Sequence, residues 1–253
     1  MNRALKDIIQ RSMRGLGYQI KPLDTRPDCF PANMNPDFRD IYLTCEPYSM
    51  TSIECMYAVY QSVHYIVQSN LPGALVECGV WRGGSAMVMA LTLAQLGITD
   101  RKIYLYDTYE GMAKPTSKDQ RLSGDEDTMG KWQRMQREGF VDWCYSSLEE
   151  VRNNLAITGY PTDNLLFIQG KVEDTIPDHA PDQIALLRLD TDWYNSTKHE
   201  LLHLYPLLQR QGVLLVDDYG HWAGQKQAVD EYFANRPLLM NRIDSSSISA
   251  IKT

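Results

Sequence analysis

A chain of 253 residues with 43% apolar residues is long enough to bury a sizeable core within one large α/β domain. Its net charge of -7 argues against a nucleic-acid groove, where Lys and Arg neutralise phosphates, but leaves room for small anionic ligands. Five scattered cysteines (Cys29, Cys45, Cys55, Cys78 and Cys144), with no CxxC pair, read as reduced thiols of a cytosolic protein and exclude a disulfide framework or a zinc site.

The first segment, MNRALKDIIQRSMRGLGYQI, spaces Leu5, Ile8, Ile9, Met13 and Leu16 as a helix does. Charges inside that pattern do not suit a signal peptide, and no stretch approaches the ~20 apolar residues of a membrane span. Pro22, Pro27, Pro31 and Pro36 predict a loop or connector over 21–40. Thr51 or Ser52 caps the next helix, with Glu54 at capping-box distance from Thr51. Met56, Val59, Tyr60, Val63 and Val67 form its apolar face, and Pro72-Gly73 ends the segment.

Strands and helices then alternate. Strands are predicted at 74–80, 102–109, 164–170, 184–190 and 212–218. Helices are predicted at 85–97, 147–158, 196–208 and 225–234. Residues 111–145, polar and rich in Met and Trp, fit a lid or a surface insertion. This order predicts a mostly parallel central sheet with helices on both faces and right-handed crossovers. Ligands bind such sheets outside the carboxyl ends of the strands.

The first strand runs into VECGVWRGGSAMVMA. Gly79, Gly83 and Gly84 let the backbone approach a ligand, and Ser85 opens a helix whose free N–H groups suit an anion. The spacing is neither GxGxxG nor a GK[ST] phosphate loop, and a plain strand-to-helix turn is the competing reading. Asp107, ending the second strand, fits either an acceptor for ribose hydroxyls or a turn residue. Glu77 beside the turn would oppose the two phosphates of a dinucleotide. It suits S-adenosylmethionine, which carries an ammonium and a sulfonium.

Two further strands end in acid pairs, Asp190 with Asp192 and Asp217 with Asp218. Adjacent strands lie ~4.8 Å apart, so Asp190, Asp217 and Asp218 can converge on one hard cation such as Mg2+. Neutralisation by Arg188, Lys226 or a helix N-terminus is the alternative. His221, close after Asp218, is a candidate base or a solvated loop residue.

The segments MTSIECMYAVYQSVHYIV, PGALVECGVWRGGSAMVMA, YLYDTYEGM, LLRLDTDWYNST and GVLLVDDYGHWAGQKQAVDEYF together resemble the macrocin O-methyltransferase (TylF-type) family over roughly residues 48–234. The resemblance implies a class I methyltransferase Rossmann-like fold. It also implies methylation of sugar hydroxyls with S-adenosyl-L-methionine and Mg2+. It matches Asp190, Asp217 and Asp218 to the metal ligands and Asp192 to the base. It suggests adenine contacts at Gly170, Val172 and Glu173, where a plain loop is the competing reading; Met50, Thr51 and Ser52 read as a helix start near the methionine end of the cofactor. Trp81 and Arg82 would shield the cofactor, and Asp190 would touch it as well as the metal.

On this reading residues 1–70 form an N-terminal helical extension and connector, serving the acceptor site or a subunit interface. Residues 71–253 form the methyltransferase domain. The expected partner is a small-molecule or glycan acceptor, in a cytoplasmic homo-oligomer. A metal-dependent nucleotide-sugar glycosyltransferase, a non-catalytic ligand-binding relative and a catechol-type methyltransferase are the alternatives.

Overall fold

The computed structural model describes residues 30–253 apart from Asp125. The helical spacing from Leu5 to Leu16, Pro22, Pro27 and Cys29 lie outside the described residues. The chain divides into Met1–Asn35 and Pro36–Thr253. The second unit carries the sheet and the site.

A helix, α1 (Phe38–Cys45), begins within the last residues of the loop or connector predicted over 21–40. Pro36 falls before its first turn, where a missing N–H costs nothing, and Phe38, Ile41 and Cys45 bury one face. Helix α2 (Ile53–Gln68) is capped by Ser52, whose hydroxyl accepts from the Cys55 amide at 3.1 Å. Thr51 pairs with Ser49 instead, at 2.9 Å.

Strand β1 (Ala74–Cys78) leads into α3 (Gly84–Gln95), then β2 (Ile103–Asp107). The segment that follows holds α4 (Thr128–Arg134) and a small antiparallel pair, β3 (Gln136–Arg137) and β4 (Phe140–Val141). Next come α5 (Leu148–Ala156), β5 (Leu165–Gln169), the single turn α6 (Val172–Thr175), β6 (Ile184–Leu189), α7 (Tyr194–His203), β7 (Leu208–Val216) and α8 (Ala223–Phe233). Helix α7 stops five residues earlier than predicted, because Pro206 turns the chain through a 3-10 step, and β7 starts earlier, at Leu208. The tail adds β8 (Met240–Arg242) and β9 (Ile248–Ile251).

The sheet order is β5-β2-β1-β6-β7-β9-β8. The first five strands are parallel; β9 runs antiparallel to β7 and β8 antiparallel to β9. One face buries Val76, Cys78, Leu187 and Leu189 against Leu201 and Leu204 of the α7 region and Val229 and Phe233 of α8. Burial of this kind stabilises each large side chain by about 1.5–3 kcal/mol. Helices α2 and α3 pack against each other, and they contact β6 and β2 respectively. The direction of winding reverses between β1 and β6, so the crevice at their carboxyl ends is the place for a ligand. Gly79 makes that crevice close-fitting. Its φ is +85°, and a Cβ there would meet the Asp190 carbonyl oxygen at 2.0 Å.

Candidate active site

Glu77 and Arg188 stand opposite each other across the β1–β6 ladder, 1% and 3% exposed. Alternation in a strand puts both on the face away from the α7–α8 core, and their nearness makes a buried ion pair unavoidable. Arg188 Nη1 donates to Glu77 Oε1 at 2.7 Å and to Asp190 Oδ2 at 2.8 Å. Its Nη2 donates to Asp217 Oδ2 at 2.8 Å. One guanidinium therefore serves three carboxylates. Among the described residues Glu77 Oε2 is buried without a hydrogen-bond partner. Burial pushes the Glu77 carboxyl up to about 7, against the opposing pull of Arg188.

Asp190, Asp192 and Asp218 form a second group, with one carboxylate oxygen of each within 4.8 Å of the others. Asp192 sits at φ +66°, an uncommon conformation for a residue with a side chain. Burial, then the charges of Asp218 and Asp190, raise its proton affinity. Burial raises Asp190 and Asp218 as well; Arg188 opposes the shift at Asp190, and Asp217 adds to it at Asp218. Asp217, a member of the expected set of Asp190, Asp217 and Asp218, lies outside this trio but lines the same cavity. Its Oδ2 takes the Arg188 bond, and its Oδ1 accepts from Ser247 Oγ at 2.8 Å. The neutralising partner considered for the acids, Arg188, is thus real for Asp190 and Asp217. Among the described residues, Asp192 and Asp218 make no ion pair with Arg188.

The glycine turn is organised by Asp107. Its Oδ2 accepts from the Val80 and Trp81 amides at 2.7 and 3.1 Å, and its Oδ1 from the Tyr109 amide at 2.8 Å. Asp107 is therefore a turn residue, and it also faces the cavity. Gly84 packs under the segment before α2, where a Cβ would meet the Tyr48 carbonyl oxygen at 2.6 Å. Gly83 faces Leu155 of α5 and is absent from the cavity wall. Arg82 is held outside by Glu150 at 2.8 Å.

The two acid groups and the rest of the glycine turn open on one cavity of about 660 Å³. Met50, Thr51, Ser52, Glu77, Gly79, Trp81, Gly84, Ser85, Asp107, Gly170, Val172, Glu173, Asp190, Asp192, Asp217, Asp218 and His221 all line it. Its far wall comes from 111–145, which is anchored by a cluster of Trp143, Trp193 and Trp222. Asp119, fully buried, clips this segment to the start of α7 by accepting from the Tyr194 amide at 2.7 Å. Arg121 Nε donates to His221 Nε2 at 3.1 Å, so that lone pair of the histidine is already engaged.

Sequence reasoning did not find Ser247, Asp244 or Glu200. Ser247 and Asp244 lie in the β8–β9 turn, in a tail without an evident pattern of ligand residues. Glu200 is on α7, fully buried beneath the Asp190–Asp192 loop, and accepts from Thr191 Oγ1 at 2.8 Å. Burial holds its proton up to about 8, against an ordinary value of 4.5, although the Thr191 bond pulls the other way. Between these values the folded state binds more protons than the unfolded chain, so this group removes stability as pH rises. Glu200→Gln keeps the shape without the titration. Its stability relative to wild type should improve between about pH 5 and about pH 8 in urea unfolding. A pH-independent difference would contradict the buried acid.

A mostly parallel sheet covered by helices on both faces, with a glycine turn at its switch point, is the class I methyltransferase architecture. The chain belongs to the macrocin-O-methyltransferase (TylF) family, whose description it matches over residues 38–249, and it is an O-methyltransferase. It is 34% identical over 187 residues to the demethyldecarbamoylnovobiocin O-methyltransferase of Streptomyces niveus, covering 74% of this chain and 68% of that protein. It is 29% identical over 218 residues to the 8-demethyl-8-(2,3-dimethoxy-alpha-L-rhamnosyl)-tetracenomycin-C 4'-O-methyltransferase of Streptomyces olivaceus, covering 84% and 78%. The solved structure of the O-methyltransferase NovP superposes with a TM-score of 0.70 at 31% identity, covering 81% of this chain and 82% of NovP. The glycosyltransferase and non-catalytic alternatives give way to this assignment. No helix among the described residues is long and apolar enough to cross a membrane.

Proposed function

We propose that the chain methylates a sugar hydroxyl of a glycosylated natural product or glycan, using S-adenosylmethionine and magnesium. The observation that carries this reading is the charge imbalance of the cavity. Glu77, Asp190, Asp192, Asp217 and Asp218 face it together; Arg121, Lys131 and Lys171 also line the cavity, but among the described residues Arg188 is the one cation bonded within that group. Buried charge of one sign is costly without counter-charge. A cationic cofactor and a divalent ion supply it.

The donor chemistry fits magnesium. All candidate donors are carboxylate oxygens, which suit a hard cation. Burial, with help from Asp192 and Asp190, pushes the nearby Cys144 thiol up to about 12, so no thiolate competes for a softer metal. Asp190, Asp217 and Asp218 would hold the ion; each Asp217 oxygen already accepts one bond and retains a second lone pair. When bound, magnesium would polarise the acceptor hydroxyl, and the cofactor would supply the methyl group.

The protein groups have separable tasks. Glu77 Oε2, which has no hydrogen-bond partner among the described residues, would accept from the ammonium group. The N-terminus of α3 offers amides to a carboxylate. Asp192 takes the hydroxyl proton, its burial giving it the proton affinity a general base needs. His221 is the weaker candidate, because Arg121 occupies its Nε2. Trp143 and Trp222 offer apolar faces to a sugar ring across the cavity.

Calorimetry with S-adenosylmethionine, followed by labelled-methyl assays on a panel of glycosides, tests the reading. Binding is expected, with turnover lost in excess chelator and restored by magnesium. Absence of cofactor binding would overturn the methyl-donor assignment; full turnover in chelator would overturn the metal alone.

A further inference from the structure

We propose that Ser247, in the turn between β8 and β9, is a positioning residue that aims Asp217 at the divalent ion; this rests on the magnesium reading above. Asp217 has two oxygens and two anchors. Arg188 Nη2 holds Oδ2, and Ser247 Oγ donates to Oδ1 at 2.8 Å. Without the serine, the carboxylate keeps one anchor and rotates about its Cβ–Cγ bond, whose torsion is soft.

The direction of the serine bond is set by its surroundings. The Asp217 carboxylate can only accept, so the serine proton points to it; the Cys55 thiol lies 3.0 Å from Ser247 Oγ and 3.2 Å from Asp244 Oδ2. Ser247 is 2% exposed, and no water is needed to complete its bonding. The turn itself is braced by hydrogen bonds. Asp244 Oδ1 accepts from the amides of Ser246 and Ser247, each at 2.8 Å, and Asp244 Oδ2 accepts from Ser52 Oγ at 2.7 Å. Ser52 caps α2 and lines the cavity on the glycine-turn side. A continuous chain of hydrogen bonds thus runs Ser52–Asp244–Ser247–Asp217–Arg188–Glu77. The Asp244–Ser247 link in it is the backbone amide of Ser247. Outer-shell partners of this kind orient a metal ligand and raise its affinity.

The test uses Mn2+ as a spectroscopic stand-in for magnesium. Its dissociation constant is measured by electron paramagnetic resonance for wild type, Ser247→Ala and Ser247→Thr, with S-adenosylmethionine affinity measured alongside. Ser247→Ala is expected to weaken Mn2+ binding about tenfold or more, and the hydroxyl of Ser247→Thr to restore most of it. The magnesium concentration for half-maximal rate should shift in parallel. In an Asp217→Asn background, Ser247→Ala should add little. Unchanged Mn2+ affinity in a folded Ser247→Ala protein, or an equal loss in both single variants, overturns the proposal. Failure of the wild type to bind Mn2+ overturns it together with the metal reading, and cofactor binding then shows whether the methyl-donor assignment survives.

Discussion

Asp192→Asn is expected to lower the rate of methyl transfer by about 10²–10⁴-fold, the usual contribution of a general base. The amide has the same shape and cannot take a proton. The loss should persist at every magnesium concentration and leave cofactor affinity intact. Asp218→Asn differs: it keeps an oxygen and loses a charge, so part of its rate should return as magnesium is raised. Initial rates of both variants against magnesium separate the roles. Rescue of Asp192→Asn by magnesium would make Asp192 a ligand, which the 4.8 Å grouping with Asp190 and Asp218 also permits. A near wild-type rate would move the base elsewhere.

Arg188→Met should cost about 3–5 kcal/mol of folding stability, as expected when one partner of a buried ion pair is removed. The methionine fills much of the volume and cannot serve Glu77, Asp190 and Asp217, which then face one another without their shared counter-charge. The loss should shrink at lower pH. The folded-state Glu77 carboxyl, already pushed up to about 7, takes a proton more readily once the guanidinium is gone, and a protonated acid no longer repels its neighbours. Denaturant unfolding at about pH 5 and about pH 8 reads both effects. A cost below ~1 kcal/mol at the higher pH, the range of exposed pairs, would show that Arg188 is not the keystone of the acid group.

The five parallel strands and most of the helices that cover them were legible in the sequence because their apolar runs are short, continuous and bounded by Gly, Pro and capping residues. The run IALLRLD already places Arg188 inside a buried strand, and the two acid pairs already stand at strand ends. What a linear pattern does not carry is which strand lies beside which. Only the sheet order puts β6 between β1 and β7, and so sets Arg188 opposite Glu77 and within reach of Asp217. The same order brings Asp217 onto Arg188, beside the trio of Asp190, Asp192 and Asp218.

The β8–β9 hairpin had a weak local signal, the alternation of Ile248 and Ala250, which are the positions buried against the sheet. Its meaning was not local at all. Asp244 and Ser247 act on residues far away in the chain, Ser52 and Asp217. The segment 111–145 was illegible for a related reason. It has no single period, being held by a tryptophan cluster and by Asp119 on the amide of Tyr194. Periodic burial and turn chemistry are properties of neighbours in sequence, so the residues alone determined the elements and the kinds of side chain at their ends. The pairing of charges, the aim of each carboxylate and the wall opposite them depend on contacts across the fold, and those only the tertiary structure decided.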